Sequence, residues 1–312
     1  MIRKLALCFA IAWVGGGLCF AVFAEPDEEL RKVRPNTTLI NDLDASKPRD
    51  ADIEVRKDVV YGKGAGDELK LDLALPKDVS GKRPCILWIH GGAWRGGSKS
   101  EFEGPLRASA KAGYVAATIS YRLVPKSIFP AQVEDSKCAV RWLRANADSL
   151  GIDPERIGVV GSSAGAHLAL MLGAMNDEDG LQGEGGSPGV SSRVRAVVSF
   201  AGPTDLTLPF PDASKNLLAD FIGGPQAEKM EVARRASPIT YVDSSDPPML
   251  LFQGTVDPLV PHAQAIAMAE ALTKAGVPAR VELMVGEGHG WPKQHDRVMR
   301  ATFEFLGQQL KP

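Results

Sequence analysis

The sequence has few cysteines, and beyond its first 24 residues it has no apolar run long enough to span a membrane. Of its 4 cysteines, Cys8 and Cys19 fall in that first segment, which leaves Cys85 and Cys138. Two cysteines form at most one disulfide and show no metal-ligand spacing, which excludes a disulfide-rich scaffold and a zinc-type cysteine site. Their apolar surroundings predict two buried free thiols. We expect neither a metal ion nor a cofactor.

An excess of charge of one sign is also missing. The chain has 36 basic and 38 acidic side chains, a net charge of −2. This balance gives no indication of nucleic-acid binding, and we expect none. A chain of this length can bury one large α/β core, and nothing in it requires a second domain. The composition gives no indication of oligomeric state.

The first 24 residues resemble a targeting segment. Arg3 and Lys4 precede an apolar stretch over residues 5–24. This pattern predicts a secretory signal peptide (1–24) cut after Ala24, export to the periplasm or beyond, and no membrane contact after cleavage. The stretch is long for a signal peptide, so an uncleaved anchor is the alternative. Glycines at 15–17 favour the signal peptide, because they weaken a spanning helix.

After a polar, extended lead-in (25–50), residues 51–312 predict one α/β domain. Alternating runs at 52–60 and 68–75, separated by glycines within 62–66, predict an antiparallel hairpin. The rest alternates between apolar strands and helices. The predicted strands lie at 84–89, 114–120, 157–160, 194–200, 249–252 and 279–285, and the helices at 98–112, 131–150, 261–275 and 295–310. This order predicts a mostly parallel sheet with an N-terminal antiparallel hairpin and helices on both faces.

Two stretches interrupt the alternation. Residues 176–193 are rich in Gly, Ser and acidic side chains, and predict a mobile surface loop. Residues 205–246 are too long for a simple connection and contain Phe210 and Phe221. An insertion of this kind near the strand ends predicts a cap that faces the substrate.

A G-x-S-x-G motif lies at the end of the strand at 157–160. It runs from Gly161 to Gly165 with Ser163 at its centre, and a helical segment follows. This setting is typical of a nucleophile elbow, in which a strained turn lifts the serine hydroxyl above the sheet edge. The two glycines allow backbone to pack closely around the turn. The free N–H of Ala164, at the start of the helix, is placed to stabilise an oxyanion.

Ligands in such a sheet bind at the carboxyl ends of the strands, so residues after the other strands form the rest of the predicted site. After the strand at 84–89 comes His90-Gly91-Gly92-Ala93-Trp94, a glycine-containing loop suited to an oxyanion hole. We expect His90 to fix this loop by hydrogen bonding.

Asp257 follows the strand at 249–252, and His289 follows the strand at 279–285. The order Ser163, Asp257, His289 is the one found in α/β-hydrolases. His289 is then the general base and Asp257 orients it. Asp205 is the alternative acid, because it also follows a strand. The remaining histidines are expected to play other parts: His167 to pack on the elbow helix, His262 to open a helix, and His295 to face solvent.

Taken together, these motifs resemble the α/β-hydrolase superfamily. The closest branches are the hormone-sensitive-lipase-like and the acetylxylan/feruloyl esterase-like (BD-FAE-type) carboxylesterases. The resemblance covers roughly residues 55–310, and its motifs are at 90–94, 161–165, 236–241, 253–257 and 288–290. It implies that Gly92, Ala93 and Ala164 donate N–H groups to the oxyanion and that Gly91 shapes the loop. Many lipase-like relatives have a third glycine where this chain has Ala93 and Trp94. That difference favours small or sugar-linked esters, with Trp94 and Trp291 flanking the pocket.

These observations predict an exported serine hydrolase that cleaves short-chain, acetyl or feruloyl sugar esters through an acyl-enzyme. Its partner would be a small-molecule or polysaccharide-linked ester. Two alternatives stay open: an amidase or peptidase on the same fold, which would share the attack and the oxyanion hole, and a non-catalytic binding module. Binding modules of this fold usually lose a triad member, whereas this sequence retains a candidate for each.

Overall fold

The computed structural model describes residues 50–77 and 80–311. The predicted signal peptide and residues 25–49 of the predicted lead-in lie outside these residues. Among the helices described, none is long and apolar enough to cross a bilayer.

The described residues form one eight-stranded sheet with the order β1-β2-β4-β3-β5-β6-β7-β8. The strands are β1 Ile53–Gly64, β2 Asp67–Pro76, β3 Arg83–Ile89, β4 Val115–Ile119, β5 Ile152–Ser162, β6 Ala196–Phe200, β7 Met249–Gly254 and β8 Ala279–Met284. β2 runs antiparallel to both β1 and β4, whereas β3 to β8 pair in parallel. The predicted fold class, an α/β-hydrolase sheet with an N-terminal antiparallel hairpin, is confirmed.

Helices cover both faces of the sheet, as predicted. They are α1 Glu103–Lys111, α2 Ala131–Ala145, α3 Ala147–Leu150, α4 Ala164–Ala174, α5 Asp212–Ile222, α6 Met230–Arg235, α7 Ala263–Lys274 and α8 His295–Leu310. Because side chains alternate along a strand, Leu87 packs into the cluster that contains α2, α4 and α7, whereas Trp88 packs into the cluster of α8. The buried apolar core therefore has two layers, one on each side of the sheet.

Several element boundaries differ from the sequence-based ones. β1 continues to Gly64, so the hairpin turn is only Ala65 and Gly66, with φ of 50° and 87°. Positive φ at both central residues is the geometry that matches the twist of a two-residue hairpin. The predicted helix at 131–150 is two helices, separated at Asn146. The predicted helix at 98–112 opens with a 3₁₀ turn, Lys99–Phe102, before α1.

The loop at 176–193, predicted to be a mobile surface loop, is hydrogen-bonded to the helix α2. Three basic side chains on one face of α2 donate hydrogen bonds to its backbone carbonyls. Lys137 Nζ lies 2.7 Å from the oxygen of Gly180, and Arg141 Nη2 lies 2.5 Å from that of Gly185. Arg144 bonds the carbonyls of Ser191 and Arg193.

The same loop covers one of the two thiols. A Cβ atom added to Gly186 would lie 2.6 Å from the Sγ atom of Cys138, so the loop backbone rests directly on the sulfur. Cys138 and Cys85 are both buried and free, as predicted. The glycines of this loop therefore allow a close approach as well as a turn.

Candidate active site

Ser163 occupies the sharp turn between β5 and α4. Its φ of 53° and ψ of −119° are strained for a residue with a side chain. A Cβ on Gly161 would lie 2.1 Å from the oxygen of Gly165, and a Cβ on Gly165 would lie 2.1 Å from the oxygen of Ile89. Both positions therefore require glycine, and the turn has the geometry predicted for a nucleophile elbow.

A chain of two hydrogen bonds leads away from Ser163. Its hydroxyl donates to Nε2 of His289 at 2.8 Å, and Nδ1 of His289 donates to Oδ2 of Asp257 at 2.7 Å. Asp257 follows β7 and His289 follows β8, so parallel strands carry all three residues to one edge of the sheet. The side chain of Asp257 is fully buried, whereas that of His289 keeps 23% of its surface exposed.

The carboxylate of Asp257 is held on several sides. Oδ1 accepts hydrogen bonds from the N–H groups of Leu259 at 2.8 Å and Val260 at 3.0 Å. Oδ2 also accepts from the side-chain amide of Gln253 at 2.9 Å. Burial raises the pKa of Asp257, but the hydrogen bonds from His289 and the two backbone N–H groups outweigh it and bring the pKa below its usual value. The group next to His289 is therefore a carboxylate.

Asp205, the alternative acid, is engaged elsewhere. Its Oδ1 accepts from the backbone N–H and the hydroxyl of Thr207 at 2.9 and 2.6 Å. His90 donates from Nδ1 to the oxygen of Gly91 at 2.8 Å, which fixes the loop after β3 as expected. His262 lies at the N-cap of α7 and His295 is the first residue of α8, and both are exposed to solvent.

The loop after β3 faces Ser163. Gly91, Gly92, Ala93 and Ala164 line the same cavity as Ser163 and His289. Within the described part of the chain, the N–H groups of Gly92, Ala93 and Ala164 donate no hydrogen bond, so they are available to a ligand. The backbone is left-handed at Gly92, Ala93 and Trp94, with φ of 98°, 52° and 57°.

Tyr121 supports this loop, and the sequence patterns did not indicate it. Its buried hydroxyl is 3.0 Å from the oxygen of His90 and 3.2 Å from that of Gly91. Its ring stacks on the imidazole of His90 with centroids 4.3 Å apart. The one available signal was its position directly after a buried strand, which does not reveal the partner of the hydroxyl.

The cavity above Ser163 has a volume of about 360 Å³. Apolar side chains of the insertion at 205–246 and of the segment after Asp257 form much of its wall: Phe210, Leu217, Leu218, Leu259 and Val260. Trp94 lines this cavity, but Trp291 is not among the lining residues. The ring of Trp291 packs instead near those of Phe200 and Phe252, at centroid distances of 6.4 and 6.3 Å.

A buried imidazole connects the oxyanion loop, the elbow helix and the insertion. The indole N–H of Trp94 donates to Nδ1 of His167 at 3.3 Å, and Nε2 of His167 donates to the oxygen of Ala236 at 2.6 Å. Phe221, from α5, stacks on Trp94 with centroids 4.1 Å apart. Burial lowers the pKa of His167 to about 4, which keeps its ring neutral. His167 is thus a packed, hydrogen-bonded residue, as its helix position indicated.

No group of three His, Cys, Asp or Glu side chains in the described ranges is arranged to hold a metal ion. The cavity contains a serine hydroxyl on an imidazole, a buried carboxylate behind that imidazole, and three unpaired backbone N–H groups opposite. Such an arrangement is suited to acyl transfer.

The family model named BD-FAE matches residues 71–272. The chain belongs to the BD-FAE family. The matched segment contains the loop at 90–94, Ser163 and Asp257, and it ends before His289. Membership in the BD-FAE family agrees with the resemblance carried by the sequence motifs.

Relatives and structural neighbours of this BD-FAE chain include proteins named as esterases. Esterase LipQ of Mycobacterium tuberculosis is 33% identical over 225 residues, which are 70% of this chain and 53% of LipQ. A truncated carbohydrate esterase from gut microbiota is 28% identical, with a TM-score of 0.73 over 86% of this chain and all of its own. The propionate-bound esterase Est2 of Thermogutta terrifontis is also 28% identical, with a TM-score of 0.70 over 85% of this chain and 98% of its own. This chain spans about half the length of LipQ.

Proposed function

We propose that this protein is a carboxylic ester hydrolase that works through an acyl-enzyme on Ser163. The observation that carries the proposal is the continuous hydrogen-bonded chain from Ser163 through His289 to Asp257. It lies opposite the unpaired N–H groups of the loop after β3. The chain also belongs to the BD-FAE family, and its relatives include proteins named as esterases.

In the first half-reaction, Oγ of Ser163 attacks the ester carbonyl carbon while its proton passes to Nε2 of His289. The N–H groups of Gly92, Ala93 and Ala164 stabilise the negative charge on the carbonyl oxygen. The tetrahedral intermediate collapses, the bond to the alcohol oxygen breaks, and His289 returns its proton to that oxygen. Asp257 stabilises the imidazolium between these two transfers.

In the second half-reaction, water takes the place of the alcohol. His289 accepts one proton of the water as its oxygen attacks the acyl carbon, and the oxyanion forms in the same pocket. Collapse breaks the bond to Oγ of Ser163, which regains a proton from His289, and the carboxylic acid leaves. Neither step requires an oxidant, a reductant or a further group.

We propose short-chain esters and acetyl or feruloyl esters of sugars as substrates. The cavity volume of about 360 Å³ is near the lower end of the range for small-molecule sites. Trp94 and the insertion residues Phe210 and Leu218 close it on the apolar side. A carbohydrate esterase and a propionate-bound esterase among the structural neighbours also support this substrate class.

Replacing Ser163 by alanine tests the mechanism. We expect the Ser163→Ala variant to lose about four to six orders of magnitude in kcat on p-nitrophenyl acetate, because no nucleophile is left. Ser162→Ala, at the neighbouring position, is the matched control and should keep most of the activity. Full activity of Ser163→Ala would rule out the mechanism.

A fluorophosphonate probe separates this proposal from the alternative of a non-catalytic binding module. Only an activated serine is phosphonylated, so labelling of Ser163 in folded protein requires a working nucleophile. Comparing a matched ester and anilide would separate an esterase from an amidase, since the anilide is the poorer leaving group.

We also propose that the protein is exported and that its leader is removed after Ala24. Arg3 and Lys4 before the apolar residues 5–24 support this assignment. Intact mass measurement on exported protein tests it: a mature chain that begins at Glu25 supports cleavage, whereas a membrane-bound chain that retains residues 1–24 supports the anchor.

A further inference from the structure

One acidic side chain lines the cavity above Ser163. Glu101 belongs to the 3₁₀ turn Lys99–Phe102, and among the described lining residues it is the only acid, with no lysine or arginine beside it. The rest of the wall is backbone, apolar side chains and small hydroxyls, apart from His289 itself. Any ester bound at Ser163 is therefore exposed to the negative charge of Glu101.

Glu101 is exposed to solvent, and one hydrogen bond orients its carboxylate. Its Oε1 accepts a hydrogen bond from the backbone N–H of Ser98 at 3.3 Å. A Cβ added to Gly97 would lie 2.7 Å from this Oε1 and 2.9 Å from the oxygen of Gly91, so the two oxygens share one small region. Glu101 thus stands next to the loop that carries the proposed oxyanion donors.

The charge of Glu101 is not neutralised by a neighbour. The basic side chains near Glu101 in sequence form ion pairs with other acids. Nη1 of Arg95 lies 3.3 Å from Oδ2 of Asp220, and Nζ of Lys99 lies 2.7 Å from Oδ1 of Asp72. No ion pair with Glu101 occurs within residues 50–77 and 80–311. Glu101 therefore lines the cavity as an acid without an ion-pair partner, in contact with solvent.

We propose that Glu101 is a specificity-determining residue that selects esters by charge. It disfavours esters that carry a carboxylate close to the scissile bond, such as uronate esters or half-esters of dicarboxylic acids, and it favours neutral and cationic ones. The inference rests on the proposed function. A cavity of about 360 Å³ keeps any bound ester within roughly one Debye length of Glu101 at 0.1 M salt. Repulsion of the wrong substrate is a common source of specificity.

Glu101→Gln is the test variant, because glutamine retains an oxygen that can accept the hydrogen bond from Ser98. Two substrate series place a carboxylate, a tert-butyl or a trimethylammonium group on one side of the ester. The first series consists of meta-substituted phenyl acetates, and the second of p-nitrophenyl esters substituted on the acyl chain. The ratio of kcat/KM for variant and wild type is taken for each substrate, which cancels differences in intrinsic reactivity.

In at least one series we expect Glu101→Gln to raise the anionic-to-neutral ratio of kcat/KM by about two- to fivefold, and to lower the cationic-to-neutral ratio similarly. The series that responds shows which side of the ester faces Glu101. In wild type, 0.5 M NaCl should reduce the charge discrimination, because the cavity is open to solvent ions.

Glu103→Gln is the matched control. Glu103 is a half-buried acid two residues away that bonds Arg107 and Lys57 and does not line the cavity. If Glu101→Gln changes the charge ratios no more than Glu103→Gln in both series, the inference is overturned and the proposed function stands. If wild type hydrolyses none of the neutral esters, the proposed function fails, and the inference fails with it.

Discussion

The tautomer of His289 is determined by its neighbours on both sides. The carboxylate of Asp257 can only accept a hydrogen bond, so Nδ1 of His289 must carry a proton. The lone pair of Nε2 is then directed to the hydroxyl of Ser163, 2.8 Å away. Asp257 therefore acts on Ser163 indirectly, through the proton it holds on the far nitrogen.

Asp257→Asn removes this control with little change in shape. An asparagine amide can donate to Nδ1 and so favours the tautomer that lacks a free Nε2. We expect kcat on p-nitrophenyl acetate to fall by roughly three to four orders of magnitude, with KM little changed.

Asp205→Asn is the matched control for this substitution. Asp205 was the alternative acid, and its carboxylate bonds Thr207 in place of His289. Its variant should stay within about a factor of three of wild type. The opposite outcome, a large loss for Asp205→Asn and a small one for Asp257→Asn, would assign the orienting acid to Asp205.

At the scale of elements, the elbow depends on a close contact between α4 and the end of β3. Gly165→Ala would place a Cβ 2.1 Å from the oxygen of Ile89. Backbone atoms on both sides must then move, and we expect a loss of about 3 kcal/mol or more in the free energy of unfolding. Gly104→Ala, in the first turn of α1, has open space around its Cβ and should be neutral or stabilise by up to about 1 kcal/mol. Urea unfolding measures the free energy of unfolding of Gly165→Ala and Gly104→Ala. Equal changes in the two variants would contradict the close contact between α4 and the end of β3.

His167 makes stability depend on pH in a defined window. An unfolded chain protonates this side chain near its usual pKa of about 6.5, whereas the buried ring protonates only near pH 4. Between these values the unfolded state binds more protons, so the free energy of unfolding falls as the pH falls from 6.5 to 4. The loss should be about 3 kcal/mol, and above pH 6.5 the group should have no effect.

The comparison with His167→Gln isolates this contribution. Burial raises the pKa of Asp246 to about 7, so Asp246 protonates earlier in the folded state and stabilises the protein as the pH falls, opposite to His167. Urea unfolding of wild type and His167→Gln at several pH values between 7 and 4 cancels the term from Asp246. Between pH 7 and pH 4, the free energy of unfolding of wild type should fall by about 3 kcal/mol relative to that of His167→Gln. A difference between the two proteins that does not change with pH would contradict a neutral buried ring.

For the molecule as a whole, the strands and the residues that follow them were predictable from local sequence patterns. Apolar runs gave the parallel strands, and the residues after their carboxyl ends predicted that Ser163, Asp257 and His289 would meet. Parallel strands deliver the residues that follow them to one edge of the sheet, so chain order predicted the meeting but left Asp205 and Asp257 as alternative acids. The catalytic role of these residues stays a prediction until the variants are measured.

Long-range contacts were not predictable in the same way. The placement of β4 between β2 and β3 leaves no mark in any one segment. Tyr121 and Trp291 are both aromatic residues that follow strands. Only the fold shows that Tyr121 supports the oxyanion loop and that Trp291 packs near Phe252. Lys137 and Arg141 look like solvent-facing charges on a helix, yet their partners are carbonyls of a loop some 40 residues further along the chain.

Because the loop at 176–193 rests on Cys138, the thiols of Cys138 and Cys85 report two different opening motions of the protein. Burial raises the pKa of Cys138 to about 11 and that of Cys85, inside the sheet, to about 12, so neither reacts while it is covered. Alkylation of Cys138 should therefore time the lifting of the loop, and alkylation of Cys85 the disruption of the sheet. Arg141→Ala, which frees Gly185, should accelerate labelling at Cys138 and leave Cys85 unchanged in peptide mass mapping. Equal acceleration at both thiols would mean that the loop and the sheet open together.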